Sequence, residues 1–317
     1  KIVKDGFTGS APIIRIRGYS TINNNDPMYI IDSVPYQGNI SWLNQNDIES
    51  LQVLKDASAA SIYGSRANNG VIIITTRKGK EGAPKITLDA YYGNSVPNRS
   101  TFPKFMNPTQ FAQYRYQSYT NAGLDPGASL GAMYGPGQTP VIPTYLIAGN
   151  ATGVNITDAQ ADPANYNYNP SSFYQITKAN QEGTDWMRVI TRNAPVQNYQ
   201  IGASGGGKNV TYALSLGYLD QKGVIKYTSF KKYNIRSNIQ FTGFDQHLKI
   251  GANILFSRTE GIGFATNTAN AGDYQQAYSP VGDAYKIQTI IPVYDIMGNF
   301  AGARAATLGD AKNPLAL

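Results

Sequence analysis

The strongest constraint in this sequence is a two-residue rhythm that returns five times. Ile86, Leu88, Ala90 and Tyr92 alternate with Thr87, Asp89 and Tyr91. Tyr199, Ile201 and Ala203 alternate with Gln200, Gly202 and Ser204. Tyr212, Leu214, Leu216 and Tyr218 are spaced by the small residues Ala213, Ser215 and Gly217. Tyr233, Ile235, Ile239 and Phe241 oppose Asn234, Arg236, Asn238 and Gln240, and Leu248, Ile250, Ala252, Ile254 and Phe256 oppose Lys249, Gly251 and Asn253. Successive side chains of a strand point to opposite faces, so each segment is predicted to be a strand with one apolar and one polar face. A soluble antiparallel sheet with one wet face alternates in the same way.

Two features favour a membrane wall over a soluble sheet. Tyrosines stand near the strand ends, as in the aromatic girdles of outer-membrane barrels. The connections also alternate in length. Gly205–Asn209 and Thr242–Gln246 are tight, Leu219–Lys232 is intermediate, and Asn94–Arg192 is very long. Short turns at one rim and long loops at the other are the outer-membrane pattern. Five strands do not close a barrel, since the smallest have about eight and plugged transporters about 22. An open sheet in lipid would leave its edge groups unpaired. The expectation is therefore a mainly β chain carrying the first antiparallel strands of a large transmembrane barrel, with further strands beyond Leu317.

The chain before Lys85 reads differently. Ile48–Leu54 is a predicted strand, and Asp56 then caps a short helical run from Ala57 to Ile62. Gly64 stands where a helix stop wants a residue free to take positive φ. Val71–Thr76 is wholly β-branched and suits a strand buried on both faces. Pro12–Gly18 and Met28–Val34 are two more predicted strands, the second ending at Pro35. Tyr19–Pro27 and Tyr36–Asn46 are predicted loops, and Arg77–Pro84 a charged linker. The result is a small α+β domain over residues 1–80, followed by the strand region over 81–317.

The wording VLKDASAASIYGSRANNGVIIITTRKG within that first domain resembles the plug signature of TonB-dependent outer-membrane transporters. Within them it is most similar to the SusC/RagA group of Bacteroidota. Ile14–Gly18 (IRIRG) and Met28–Pro35 (MYIIDSVP) match two neighbouring elements of the same group. Three motifs in order within 80 residues are far more specific than one. The resemblance implies a plug seated in a barrel of about 22 strands. It also implies import of oligosaccharides or peptides beneath a SusD-like surface lipoprotein, driven through the TonB–ExbB–ExbD complex. A signal peptide and a TonB-binding segment are expected before Lys1. Two other readings stay open: a receptor whose main output is signalling, and a secreted glycan-binding β-domain.

Other chemistry is excluded piece by piece. There is no cysteine, hence no disulfide framework or thiolate metal site. No run of about 18 apolar residues suggests a membrane helix. The net charge of +7 is scattered along the chain, which gives no stripe for nucleic acid. The single histidine, His247, sits in a short turn with no nucleophile motif near it. Gly64–Gly70 lacks the Gly-Lys-Ser/Thr end of a phosphate loop. Asn23–Asp26 offers oxygens but lacks the spacing and distal Glu of a calcium loop. No enzyme, cofactor or metal is expected.

Binding is what remains. The resemblance places loops of the plug at the floor of a ligand cavity, here Tyr19–Asp26, Tyr36–Asn39 and Ile40–Asn46. Aromatic rings beside amides suit sugar faces and peptide groups alike. The candidate ligand residues are Tyr36, Gln37 and Trp42, then Asn23, Asn24 and Asn25, although Trp42 also reads as a core residue. Arg15, Arg17, Lys55 and Arg66 are candidates for ionic contacts between plug and barrel wall. In the long connection, Asn107 and Pro108 predict a helix to about Asn121 with Phe111, Tyr114 and Ser118 on one face. Glu260–Leu317 is predicted as external loop with a small hairpin turning at Met297–Gly298–Asn299.

Overall fold

The computed structural model describes residues 2–3, 13–16, 25–38, 40–55, 63–64, 67, 69–149, 155–167, 169, 173–263, 279–302, 308–309 and 311–316. The helix expected over Ala57 to Ile62, and Asn23, Asn24, Arg17 and Arg66, lie outside them. The chain divides into two compact units: residues 1–96 with 193–263, and residues 97–192 with 264–317.

The first unit begins with the short pair β1 (Ile2–Val3) and β2 (Ile13–Ile14). A four-stranded sheet follows, built from β3 (Met28–Ile31), β4 (Val34–Tyr36), β5 (Ile48–Leu54) and β6 (Val71–Thr76) in the order β4-β3-β6-β5. β3 runs parallel to β6, and the other pairs are antiparallel. The β-branched strand β6 lies in the middle, with Val71, Ile72, Ile74 and Thr76 buried, as its composition predicts. One face packs Met28, Ile30, Ala67 and Val71. The other packs Tyr29, Leu43, Ile72 and Ile74, with Tyr36 and Trp42 against them.

Two predicted strands are corrected. Among the described residues of Pro12–Gly18, only Ile13–Ile14 is strand, and Arg15 and Ile16 lie outside it. Met28–Val34 is not continuous, because the chain reverses at Asp32 and Ser33, both in the left-handed region with φ 47° and 73°. Two such residues make the two-residue turn that matches strand twist. Pro35 then sits inside β4, an edge strand, where a missing N–H disturbs no ladder.

β7 (Gly82–Ser95) leads out of this small sheet. β8 (Tyr145–Gly149), β9 (Asn155–Ile156) and β10 (Tyr174–Lys178) belong to the second unit. β11 (Ala194–Gly206), β12 (Val210–Lys222), β13 (Ser229–Gly243) and β14 (Leu248–Ile262) join β7 in an antiparallel sheet ordered β14-β13-β12-β11-β7. All five alternating segments are therefore strands, of 13 to 15 residues, longer than the ~9–11 a tilted strand needs to cross a bilayer.

Register aligns the apolar positions into rows. Leu88, Ile201, Leu216, Ile235 and Phe256 face one another across all five strands. Tyr199, Tyr218 and Tyr233 form an aromatic row two residues along, with ring centroids 6.5 and 5.1 Å apart. These apolar residues are exposed, Leu88 at 71% and Ile254 at 65%, whereas Gln200, Asn234 and Arg236 on the opposite face are 5–6% exposed. Apolar outside and polar inside inverts the soluble arrangement and matches a lipid-facing wall.

The second unit has its own core, including Tyr134, Leu146, Ile176, Trp186 and Ile291. Its predicted helix, Pro108–Asn121, is present, and Asn107 and Gln110 form a reciprocal capping box at its start. The expected face is corrected. Ala112 and Tyr116 are buried, while Tyr114 and Ser118 are exposed. The rest of that connection is more ordered than its Gly- and Pro-rich sequence suggests. It adds helices Pro126–Tyr134 and Trp186–Ile190 and the sheet β10-β8-β9. The 260–317 segment is likewise corrected: β14 continues to Ile262, and a helix spans Pro280–Lys286. The small hairpin is as expected, with Tyr294 bridged to Phe300 and Gly298 at φ 81°.

Candidate functional site

The site in the first unit is the seam where the small sheet domain meets the polar face of the five-stranded wall. Alternation sends Gln200, Ser215, Lys232, Asn234 and Arg236 inward. Small residues beside them let the plug approach closely. A Cβ on Gly217 would stand 2.9 Å from Asn44 Nδ2, and one on Gly79 only 2.3 Å from the backbone nitrogen of Tyr212.

Three groups of hydrogen bonds cross the seam. Asp47 ends a short helical turn, Gln45–Asp47, that Asn44 caps. Its Oδ1 accepts from Gln200 Nε2 at 3.1 Å and Ser215 Oγ at 2.7 Å, and Asn44 Nδ2 donates to Gln200 Oε1 at 3.2 Å. Asp47 is 3% exposed, and its Oδ2 has no hydrogen-bond partner among the described residues.

The second group holds the loop just before it. Lys232 Nζ donates to the carbonyls of Ser41 and Leu43 at 3.1 and 3.3 Å, and Asn234 Nδ2 to that of Trp42 at 2.8 Å. The third ties the wall to the end of β6. Arg236 Nη2 donates to Thr76 Oγ1, and to the Arg77 carbonyl at 2.8 Å. Thr76 in turn donates through Oγ1 to Asp32 Oδ2 and through its backbone N–H to Asp32 Oδ1 at 2.8 Å. Asp32 is thereby linked to Arg236 through one hydroxyl, and the β3–β4 turn is fixed to the wall.

Two cavities flank Arg236. A polar one of about 550 Å³ is lined by Asp47, Arg77, Asp89, Gln200 and Ser215. A smaller one of about 230 Å³ is lined by Ile31, Asp32, Val34, Pro35, Tyr36, Trp42, Thr76, Asn253, Ile254 and Leu255. Arg236 reaches both.

Of the residues expected to bind ligand, Tyr36 and Trp42 come together. Trp42 Nε1 donates to Tyr36 Oη at 3.1 Å, and the rings meet edge to face with centroids 5.4 Å apart. Both are half-buried against the plug core, so Trp42 serves the core and the small cavity at once. Gln37 is exposed and Asn25 buried. Among the expected ionic residues, Arg15 pairs with Asp26 inside the plug, and Lys55 is exposed at the end of β5. Burial, and then Asp26, push the Tyr29 hydroxyl up, while Arg15 pulls it down.

Sequence reasoning missed the residues that carry the seam: Asp32, Asp47, Thr76, Lys232 and Arg236. The signal available for the wall pair was their place on the polar side of an alternating strand.

The family profile described as TonB-dependent Receptor Plug Domain matches residues 2–71. TonB-dependent receptor SusC of Bacteroides thetaiotaomicron is 31% identical over 303 residues, covering 92% of this chain and 24% of that protein. TonB-dependent receptor P26 of Formosa agariphila is 28% identical over 315 residues, covering 98% and 26%. A solved structure titled "Structure of the RagAB peptide transporter" superposes with a TM-score of 0.65 at 24% identity, over 98% of this chain and 32% of that one. The chain thus spans about a quarter of the length of these relatives. The plug match, the relatives and the shared fold agree: residues 2–71 match a TonB-dependent receptor plug domain, and the chain as a whole is similar to TonB-dependent receptors of the SusC/RagA group.

Proposed function

We propose that this chain is the plug, over residues 1–80, and the first wall strands with their long loops, over 81–317, of an outer-membrane importer. It takes up oligosaccharides or peptides, works beneath a SusD-like lipoprotein, and draws energy from the TonB–ExbB–ExbD complex. The observation that carries this is the inverted sheet. Its apolar residues are exposed, the polar residues Gln200, Asn234, Arg236 and Asn238 of its inner strands are buried, and a separate small sheet domain sits on the polar face. That domain is tied to the wall by hydrogen bonds, which can be exchanged for bonds to water when it moves. Ligand and pulling then bias a two-state plug. The name of the RagAB neighbour supports peptides, and that of SusC supports the receptor class.

The test is purification of the full-length protein from native outer membranes in detergent, with mass spectrometry of what travels with it. A co-purifying lipoprotein and a bound peptide or oligosaccharide mixture are the expected result. Recovery of the protein in a soluble fraction without detergent overturns the barrel reading.

A further inference from the structure

Arg236 is a buried cation with no carboxylate in salt-bridge range among the described residues. Both of its hydrogen bonds leave from Nη2, so Nε and Nη1 donate to nothing described. Buried charges are ordinarily paired, because desolvation otherwise disfavours them. Asp32 makes no direct ion pair with Arg236 and is joined to it only through the Thr76 hydroxyl. Arg236 lines the 230 Å³ cavity, where Asp32, Tyr36, Thr76 and Asn253 also stand but the exposed surface is mostly apolar and includes Trp42 and Val34. That volume is about one amino-acid residue, below the ~300–1,000 Å³ of pockets that enclose a whole small molecule.

We propose that this cavity takes the C-terminal residue of a short peptide, with its carboxylate on Arg236 and an apolar side chain against Trp42 and Val34. The assignment rests on the importer reading and narrows its substrate to peptides with a free carboxyl end and an apolar last residue. A sugar ring fits the same walls poorly. It carries a hydroxyl on most of its carbons, and little of the cavity's exposed surface is polar enough to satisfy them. Arginine and carboxylate, by contrast, match as a two-point fork. Both hydrogens of Nη2 are already used. A forked carboxylate must therefore take over one of these bonds, and peptide arrival competes directly with the wall's hold on Thr76 or Arg77.

The experiment is calorimetric titration of the detergent-purified full-length protein with N-acetyl-Ala-Ala-Leu, as free acid and as C-terminal amide, and with trigalacturonate. The acid is expected to bind at least tenfold more tightly than the amide. Arg236→Gln should abolish that difference, and Arg236→Lys should retain part of it. The acid alone should also speed protease cleavage of the 77–81 linker. Equal binding of acid and amide, or binding of neither, overturns the proposal. So does preferential binding of trigalacturonate, which assigns the carboxylate to a uronic acid. The acid–amide comparison needs no variant, so a misfolded Arg236→Gln protein does not spoil it. If the protein still fractionates with the outer membrane and acquires a lipoprotein partner while acid and amide bind alike, only the pocket assignment falls.

Discussion

Ser215 Oγ donates to Asp47 Oδ1 at 2.7 Å, which seats a carboxylate of the plug on a hydroxyl of the wall. The same oxygen accepts from Gln200, so one buried acid gathers two adjacent strands. Removing it leaves the buried Gln200 donor unsatisfied, at about 1–3 kcal/mol, and strips the half-buried Ser215 hydroxyl of its acceptor. Asp47→Ala is expected to loosen the plug far more than Ser215→Ala. A double-mutant cycle on the full-length protein should give a coupling of about 0.5–3 kcal/mol. Protease accessibility of the plug reads it out. Additive single effects would mean that the bond does not hold the seam.

Ser33 sits at φ 73° in a turn whose second position favours glycine. The left-handed conformation costs a residue with a Cβ roughly 1–2 kcal/mol. Ser33→Gly should therefore stabilise the plug by somewhat less than that, because glycine also gains freedom in the unfolded chain. Ser33→Val should destabilise it, since β-branching makes the same φ worse. Thermal unfolding of the two variants beside the parent decides this. A drop for Ser33→Gly would contradict the turn geometry.

Gly79 has no room for any side chain, because a Cβ would overlap the backbone of Tyr212. Neither atom belongs to a flexible side chain, so the linker itself must move. Gly79→Ala is expected to detach the linker from the wall and raise cleavage between 77 and 81, with the wall strands intact. Gly93→Ala is the control, since nothing lies within 4 Å of that position. Equal cleavage of the two variants would show that the close approach is not kept in the assembled barrel.

The wall was legible because burial in a membrane strand repeats every two residues and leaves a long periodic trace. The second unit leaves none. Trp186–Ile190 is a five-residue helix, and β9 has two residues. Elements that short have no period to detect. Even in the long helix, the small Ala112 is buried together with Tyr116, and the larger Tyr114 is exposed. Size is therefore a poor guide to the buried face. Asp47 was invisible for another reason. Its own neighbours, Gln45 and Asn46, read as a polar turn, and its role exists only because Gln200 and Ser215 reach it from more than 150 residues away.

Tyr134 supplies a pH test in the second unit. Burial pushes its hydroxyl up to about 12, an effect that Arg115 opposes and Tyr116 reinforces. A raised folded value means that the neutral ring is favoured in the fold. The stabilisation is complete below pH ~10, where the unfolded side chain is also neutral, and is lost as pH rises through 12. Over that window the parent should lose about 2–3 kcal/mol more than Tyr134→Phe, which has no proton to lose. Chemical unfolding across pH 9–12 measures the difference. Parallel curves would mean that the ring is not held from water.

Asp295 gathers the turn of the hairpin in the second unit. It accepts from the backbone N–H of Met297 and Asn299, both at 2.9 Å, from Gln175 Nε2 at 3.0 Å, and from Tyr166 Oη. Four donors on one 7%-exposed carboxylate fix the turn and tie it to β10. Asp295→Ala should cost roughly 2 kcal/mol or more, the penalty of unsatisfied buried donors. It should also expose residues 294–302 to protease while leaving the plug unchanged. Asp295→Asn keeps one acceptor oxygen and should fall between. If instead Asp295→Ala loosens the plug as much as Asp47→Ala does, the two compact units do not unfold independently. The seam would then have to be treated as part of one cooperative structure.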